Sequence, residues 1–228
     1  MGGLYALEKI ALSNHNYHGQ IIEVLCAFVR LHAPLFEQGN EFQREMGVPP
    51  PVIVQVALTI IGRRKVAFDR LPNTKKKVEI DLSLADLQGA DLRLTKFQRA
   101  YLYKTNLEGA ILEVASLEEA SLNNANLQRA YLQHANLFGA YLEKADLQGA
   151  NLHCACLIEA DLQEAYLYKA NLYGTNLKEA NFESANLEKT DLSGSDISLK
   201  QLQSAKVFKS TVLPENIDKT KLTFEDDK

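Results

Sequence analysis

Hydrophobic side chains recur every five residues over more than half of this 228-residue chain. Every fifth position from Leu82 to Ile197 is leucine, apart from two phenylalanines and the final isoleucine. The position two residues earlier is alanine or threonine, except for Ile80 and Ser195 at its two ends. The other three positions of each repeat are mostly polar, so the pattern predicts two inward-facing and three outward-facing residues in every five.

Neither an α-helix nor a flat β-strand keeps the leucines on one face when they recur every five residues. In an α-helix, at about 100° per residue, five residues would rotate the leucine by about 140° each time. In a flat strand, side chains alternate between two faces, so an odd period would send successive leucines to opposite sides. A chain that turns a corner after every repeat satisfies the pattern, and four corners would close a square coil with leucine and alanine inside.

The repeat also resembles a known family. The segments ADLQGADL, ANLQRAYLQHANLFGAYL and ANLYGTNLKEANF are similar to pentapeptide repeats of the form A(D/N)LXX. This resemblance implies a mainly β protein, a right-handed quadrilateral parallel β-helix with four pentapeptides in each coil. The leucine column has 24 positions, which gives about six coils. Stacking would place each leucine on another leucine in the next coil, at the roughly 4.8 Å spacing of hydrogen-bonded strands.

The flanking segments have different patterns and are expected to cover the open strand edges at both ends of the coil. Helical apolar spacing predicts α-helices over 4–12 and 21–31, and residues 52–61 are predicted to form a third, more apolar helix or a buried segment. The phrases GGLYALEKIA and VQVALTIIGRR resemble a helical segment that precedes the repeats in many bacterial proteins. Residues 198–205 predict a short capping helix with Ser198 as its N-cap.

These patterns divide the chain into three parts. Residues 1–77 are predicted to form an α-helical N-terminal region and a linker. Residues 78–199 are predicted to form the β-helix. Residues 200–228 are predicted to form a C-terminal cap followed by a polar tail, which is expected to be loose beyond Lys219.

The charge and the cysteine content limit which cellular compartment and which classes of partner the sequence indicates. The formal net charge is −4, from 25 basic and 29 acidic residues, so no global field draws the chain to nucleic acid or anionic lipid. Three cysteines without framework spacing indicate a reducing, cytoplasmic environment. The longest apolar run, 52–61, reaches about half of the roughly 20 residues that cross a bilayer, so no transmembrane segment is expected.

The sequence does not predict an enzyme. It contains no nucleophile elbow, phosphate-binding loop, zinc-protease motif or dinucleotide fingerprint. A coil filled with leucine has no lumen, and carboxylates on its convex faces would be screened by water. We therefore expect no catalytic residue and no cofactor. His134, His153, Cys154 and Cys156 fall in neighbouring coils, but their spacing matches no known zinc pattern, so no metal site is predicted.

Two neighbouring outward columns are unusually apolar for surface positions. A cluster of exposed apolar side chains is typical of a partner-binding or self-association site. Single exposed apolar side chains, however, are common on any protein surface. The predicted interaction patch consists of Leu94, Ile111, Val114, His134, Phe138, Cys154 and Ile158.

These observations predict a non-catalytic protein-binding or scaffolding module whose partner is another protein or a second copy. The alternative is a regulator of a topoisomerase or another DNA-binding enzyme, because some pentapeptide-repeat proteins resemble a rod of B-form DNA with strongly acidic faces. Residues 80–199 contain 17 acidic and nine basic residues, so their net charge is negative, as a DNA mimic requires. The basic residues are interleaved, whereas a duplex mimic needs a nearly unbroken anionic surface. Direct binding to nucleic acid is not expected.

Overall fold

Each five-residue repeat forms one straight side and one corner. In the computed structural model, which describes residues 2–35, 48–64 and 78–227, the second residue after every inward leucine has a φ between 52° and 69°. The next residue donates its N–H to the carbonyl of that leucine, as from Ala85 N to Leu82 O at 3.2 Å. This is the hydrogen bond and positive φ of a type II turn. The predicted corner is therefore confirmed in every repeat from Leu82 to Leu192.

Parallel bridges join residues twenty apart and stack the coils on four faces. The ladders begin at Asp81 on the first face, Asp86 on the second, Asp91 on the third and Lys96 on the fourth. Bridges of these ladders continue through the coil to the pair Asp191–Val212. The chain thus forms a β-helix in which each residue lies over the residue twenty positions later.

Where the residue before the inward leucine is Asp or Asn, its side chain has a structural role. The Asp81 Oδ1 atom accepts the N–H of Ser83 at 3.0 Å, which fixes the start of the turn. Asn106 Nδ2 donates to Asp86 Oδ1 at 2.9 Å, so the side chains also connect successive coils. This explains why the repeat favours Asp and Asn at a position that faces outward.

The interior of the coil is filled by the inward side chains. The leucine column is fully buried, and so are the alanines two residues earlier. Threonines are accepted in the alanine column because their hydroxyls donate to backbone carbonyls, as from Thr95 Oγ1 to Leu92 O at 2.6 Å and from Thr105 Oγ1 to Leu82 O at 3.0 Å. The coil is held together by a continuous apolar core.

Among the residues that the structure describes, three helices precede the coil, and the third lies where a helix or a buried segment was predicted. They are α1 (Gly2–Ser13), α2 (His15–His32) and α3 (Val52–Gly62), and their buried side chains share one core with the coil. Cys26 is a core residue, and burial raises the pKa of its thiol to about 12. The predicted linker before residue 78 lies outside the described residues. In the described part of the chain, none of the helices has both the length and the apolar character to cross a bilayer.

Residues near the end of α2 close the upper strand edge of the first two faces. The Arg30 guanidinium donates to the carbonyl of Asp81 and pairs with its carboxylate at 2.7 Å. On the second face, Asp86 N donates to Ala33 O at 2.7 Å, beside an antiparallel bridge between Pro34 and Ala85. Strand edges that would otherwise pair with other chains are thereby occupied.

Helix α3 closes the other two faces. The Gln55 side chain donates from Nε2 to Asp91 O at 2.6 Å and accepts the Asp91 N–H on Oε1 at 3.0 Å. One side-chain amide thus replaces the two hydrogen bonds of a missing strand. On the fourth face, Lys96 N donates to Gly62 O at 3.0 Å. All four faces of the first coil are therefore capped by the N-terminal region.

Replacing Gln55 with methionine should lower the free energy of unfolding by about 2 kcal/mol, because both backbone groups of Asp91 lose their partner while the side-chain length is kept. Urea unfolding followed by circular dichroism would measure the change. Gln20→Met, on the exposed side of α2, is the matched control. Equal midpoints for the two variants would show that the amide cap contributes nothing.

The C-terminal segment contains the predicted short helix and more structure than expected. Helix α4 (Leu199–Ser204) begins after Ser198, whose side chain forms a capping box with Gln201. Strand β1 (Val207–Phe208) then pairs in parallel with strand β2 (Phe224–Glu225), and a 3-10 helix (Lys219–Lys221) lies between them. The prediction of a loose tail beyond Lys219 is wrong at β2, because Phe224 packs against the core.

Candidate functional site

The corner that follows the third face carries four of the seven predicted patch residues, Leu94, Val114, His134 and Cys154, and we call this column the apolar edge. Their φ values lie between 55° and 58°, so all four project outward from left-handed corners. Leu94 is 71% exposed and Val114 is 51% exposed. The coil imposes the corner but not the residue, and a β-branched side chain is unfavourable in this conformation.

The remaining predicted residues lie on the two faces that meet at this edge. On the fourth face, Phe138 lies over Ile158 and is 37% exposed, while Ile158 is half-buried. On the third face, Ile111 is half-buried and is bridged to the exposed Tyr131. The structure therefore places the predicted residues along one edge and its adjoining faces. The proximity of Tyr131 was not predicted, although the twenty-residue stacking of Ile111 and Tyr131 could have indicated it.

An aromatic stack borders the apolar edge. The His153 ring stacks on Tyr173, with centroids 5.4 Å apart and planes at 16°. Its other neighbour is His134, which meets it edge to face at 5.9 Å. The Cys154 Sγ atom lies 3.5 Å from His153 Nε2. Sequence reasoning did not assign Tyr173 to this site, although it lies one coil below His153.

Two polar side chains next to the patch hold buried acceptors without a partner. Within the described ranges, Glu118 Oε2 and Gln133 Oε1 are buried and accept no hydrogen bond. The other carboxylate oxygen of Glu118 accepts from Asn136 Nδ2 at 2.8 Å. Glu118 lies one coil above Phe138, and Gln133 immediately precedes His134. A buried acceptor without a donor is energetically unfavourable.

Charges of both signs are interleaved on the outside of the coil. Arg99 pairs with Glu119 at 2.7 Å, and Lys144 contacts Glu143 at 2.9 Å and Glu164 at 3.5 Å. The pairing raises the pKa of Lys144, chiefly through its hydrogen bond to Glu143. Because cations lie among the carboxylates, the surface lacks the unbroken anionic columns of a duplex mimic.

The histidines and cysteines of this region do not assemble a metal site. Among the described residues, no group of three or more His, Cys, Asp or Glu side chains is arranged to hold a metal ion. Cys154 is exposed, and Cys156 is half-buried on the neighbouring fourth face. What this arrangement offers is an apolar edge with polar acceptors beside it, and one thiol beside an imidazole.

Comparison with known proteins identifies the repeat. The family model of pentapeptide repeats matches residues 78–113, 115–153 and 155–194, in eight copies. This family implies that the β-helix is right-handed. No curated protein matches the chain.

Several solved structures are similar to the coil. The pentapeptide repeat protein Rfr23 from the cyanobacterium Cyanothece 51142 is 28% identical over 62% of this chain and 67% of its own, with a TM-score of 0.36. HetL, involved in heterocyst differentiation regulation in the cyanobacterium Nostoc sp. strain PCC 7120, is 35% identical over 55% of this chain and 71% of its own, with a TM-score of 0.29. Full-length QnrB1, a plasmid-mediated fluoroquinolone resistance protein, is 19% identical over 65% of this chain and 84% of its own, with a TM-score of 0.30.

Proposed function

Because this chain belongs to the pentapeptide-repeat family, whose members are generally non-catalytic structural or binding modules, we propose that it is a scaffolding module that binds a protein through the apolar edge and the adjoining Phe138 and Ile158. Membership of the family predicts the fold better than the function, so the argument for binding rests on the surface of this chain.

The exposure of large apolar side chains at the apolar edge is the observation that supports this proposal. Interface centres are enriched in aromatic and apolar residues and surrounded by polar groups. Leu94 and Val114 supply the apolar centre, and the exposed Phe138 supplies an aromatic anchor beside it. The polar residues Glu118 and Gln133 lie beside this centre. The partner surface should therefore be apolar where it meets Leu94, Val114 and Phe138.

We also propose that the chain is divided into three parts. Residues 1–77 would form the helical region and linker, 78–199 a coil of about six turns, and 200–228 the C-terminal part. Helix α4 would cap the last coil, because Gln201 Nε2 donates to Leu177 O at 2.7 Å and to Ala180 O at 2.9 Å. The free thiols of Cys26, Cys154 and Cys156 support a reducing location such as the bacterial cytoplasm.

Replacing Phe138 and Ile158 together with glutamate should weaken partner binding about 100-fold, because two charges would enter a desolvated apolar contact. A crosslinking pull-down from host lysate would identify the partner, and titration of the purified partner would measure the affinity. Sedimentation of the chain alone would show whether the partner is a second copy.

The control is Tyr101→Glu with Tyr141→Glu, which makes the same kind of change at exposed aromatic residues on the first face. Loss of binding in the Phe138/Ile158 variant with retention in the control would locate the interface at the apolar edge. Equal binding by both variants would place the interface elsewhere and refute the proposal.

A further inference from the structure

The thiol of Cys154 is the one nucleophile that the structure places beside an oriented base in the patch region. Its Sγ atom lies 3.5 Å from Nε2 of His153, within hydrogen-bonding distance for sulfur. The imidazole is held between the Tyr173 ring, which stacks on it, and the edge of His134. Cys154 is exposed at its corner, so reagents in solvent can reach the sulfur.

The lower side of Cys154 is open because a glycine follows in the next coil. A Cβ atom at Gly174 would lie 3.3 Å from the Cys154 Sγ atom. Because an added Cβ atom would press on the sulfur, a glycine at this position allows Cys154 Sγ to stay beside the imidazole. Nucleophile, base and a third group that orients the base are the components of an activated nucleophile.

We propose that Cys154 is a peroxide-reactive thiol and that His153 is the base for its oxidation. The sulfur attacks one oxygen of a hydroperoxide, an S–O bond forms and the O–O bond breaks. His153 Nε2 takes the thiol proton and passes it to the departing oxygen. The products are Cys154 sulfenic acid and an alcohol, or water when the oxidant is hydrogen peroxide; sulfur loses two electrons and the peroxide gains them. This chemistry is independent of the proposed protein binding.

The chain contains two internal comparison thiols. Cys156 lies two residues away on the fourth face and is half-buried, and in the described residues its side chain has no hydrogen bond to a histidine. Cys26 is buried in the core, and burial raises its pKa to about 12. The proposed difference in reactivity therefore arises within one molecule under identical conditions.

The test treats the full chain with hydrogen peroxide in the presence of dimedone, which traps sulfenic acids, and follows each cysteine by mass spectrometry over time. We expect Cys154 to be labelled at least about tenfold faster than Cys156, from general base assistance. Cys26 should remain unlabelled in the folded protein.

Two variants separate the loss of this base from the loss of any histidine. His153→Gln should slow labelling of Cys154 to the Cys156 rate, whereas His32→Gln, at an exposed histidine of α2, should leave the labelling ratio unchanged. Thermal unfolding of each variant would verify that the coil is intact. Equal labelling of Cys154 and Cys156 in the parent, or an unchanged ratio in His153→Gln, would overturn the proposal.

Discussion

Replacing Ala135 with leucine should lower the free energy of unfolding by about 3 kcal/mol. Ala135 is fully buried, and its neighbours in the adjacent coils, Ala115 and Ala155, are buried too. Backbone hydrogen bonds from Asn136 N to Ala115 O at 2.9 Å and from Cys156 N to Ala135 O at 3.0 Å fix the distance to both coils. The coil cannot widen at one level without breaking these bonds, so three extra carbon atoms would overpack the interior.

The expected loss would be measured as a lower midpoint of urea unfolding with an unchanged slope. Ala27→Leu is the matched control, because it makes the same substitution at an exposed position of α2. A surface change of this kind is expected to shift stability by less than about 0.5 kcal/mol. If Ala135→Leu unfolds at the same urea concentration as the parent, the column of small residues does not limit the width of the coil.

The coil was predictable because its rule is local and repeated. A leucine at every fifth position and a small residue two positions earlier allow only a chain that turns a corner in each repeat, and the inward residues are buried as expected. The helices were predictable for the same reason, since their apolar spacing lies within one segment. The non-glycine residues at left-handed corners, such as Val114, could not be inferred from propensity, because the stacked coils override the preference of a single residue.

The caps could not be predicted, because they join residues far apart in sequence. Gln55 interrupts an apolar run, and nothing near it indicates that its amide pairs with the backbone of Asp91. Strand β2 has only two residues, too few for a periodic signal, and it forms because β1 offers an edge. In both cases the backbone groups that form the hydrogen bonds come into position only after the coil has formed.

The patch was partly predictable, because stacking places residues twenty apart in one column. That rule was enough to group Leu94 with Val114 and Phe138 with Ile158. It could not indicate that His153 would stack on Tyr173 or that an oxygen of Glu118 would remain unpaired, because these depend on side-chain rotamers. The polar half of the candidate site therefore required the structure.

Replacing Gly62 with alanine should destabilise the protein by about 3 kcal/mol, although alanine is the better helix former. A Cβ atom at Gly62 would lie 2.4 Å from Thr95 Cγ2 and 2.8 Å from Thr95 Cβ. Thr95 cannot turn away freely, because its hydroxyl donates to Leu92 O at 2.6 Å inside the coil. The end of α3 would have to move off the first coil, which would stretch the bond from Lys96 N to Gly62 O.

Gly3→Ala is the matched control, because a Cβ atom there meets nothing within 4 Å, and it should be neutral or stabilising by up to about 1 kcal/mol. Adding Thr95→Ala to Gly62→Ala removes the closest contact, so the double variant should recover part of the loss, and a double-mutant cycle would give the coupling. Additive effects would mean that α3 is not pressed against the coil at Thr95. Strong coupling would show that Gly62 is needed for its small size, which lets α3 approach the strand edge of the fourth face closely enough to cap it.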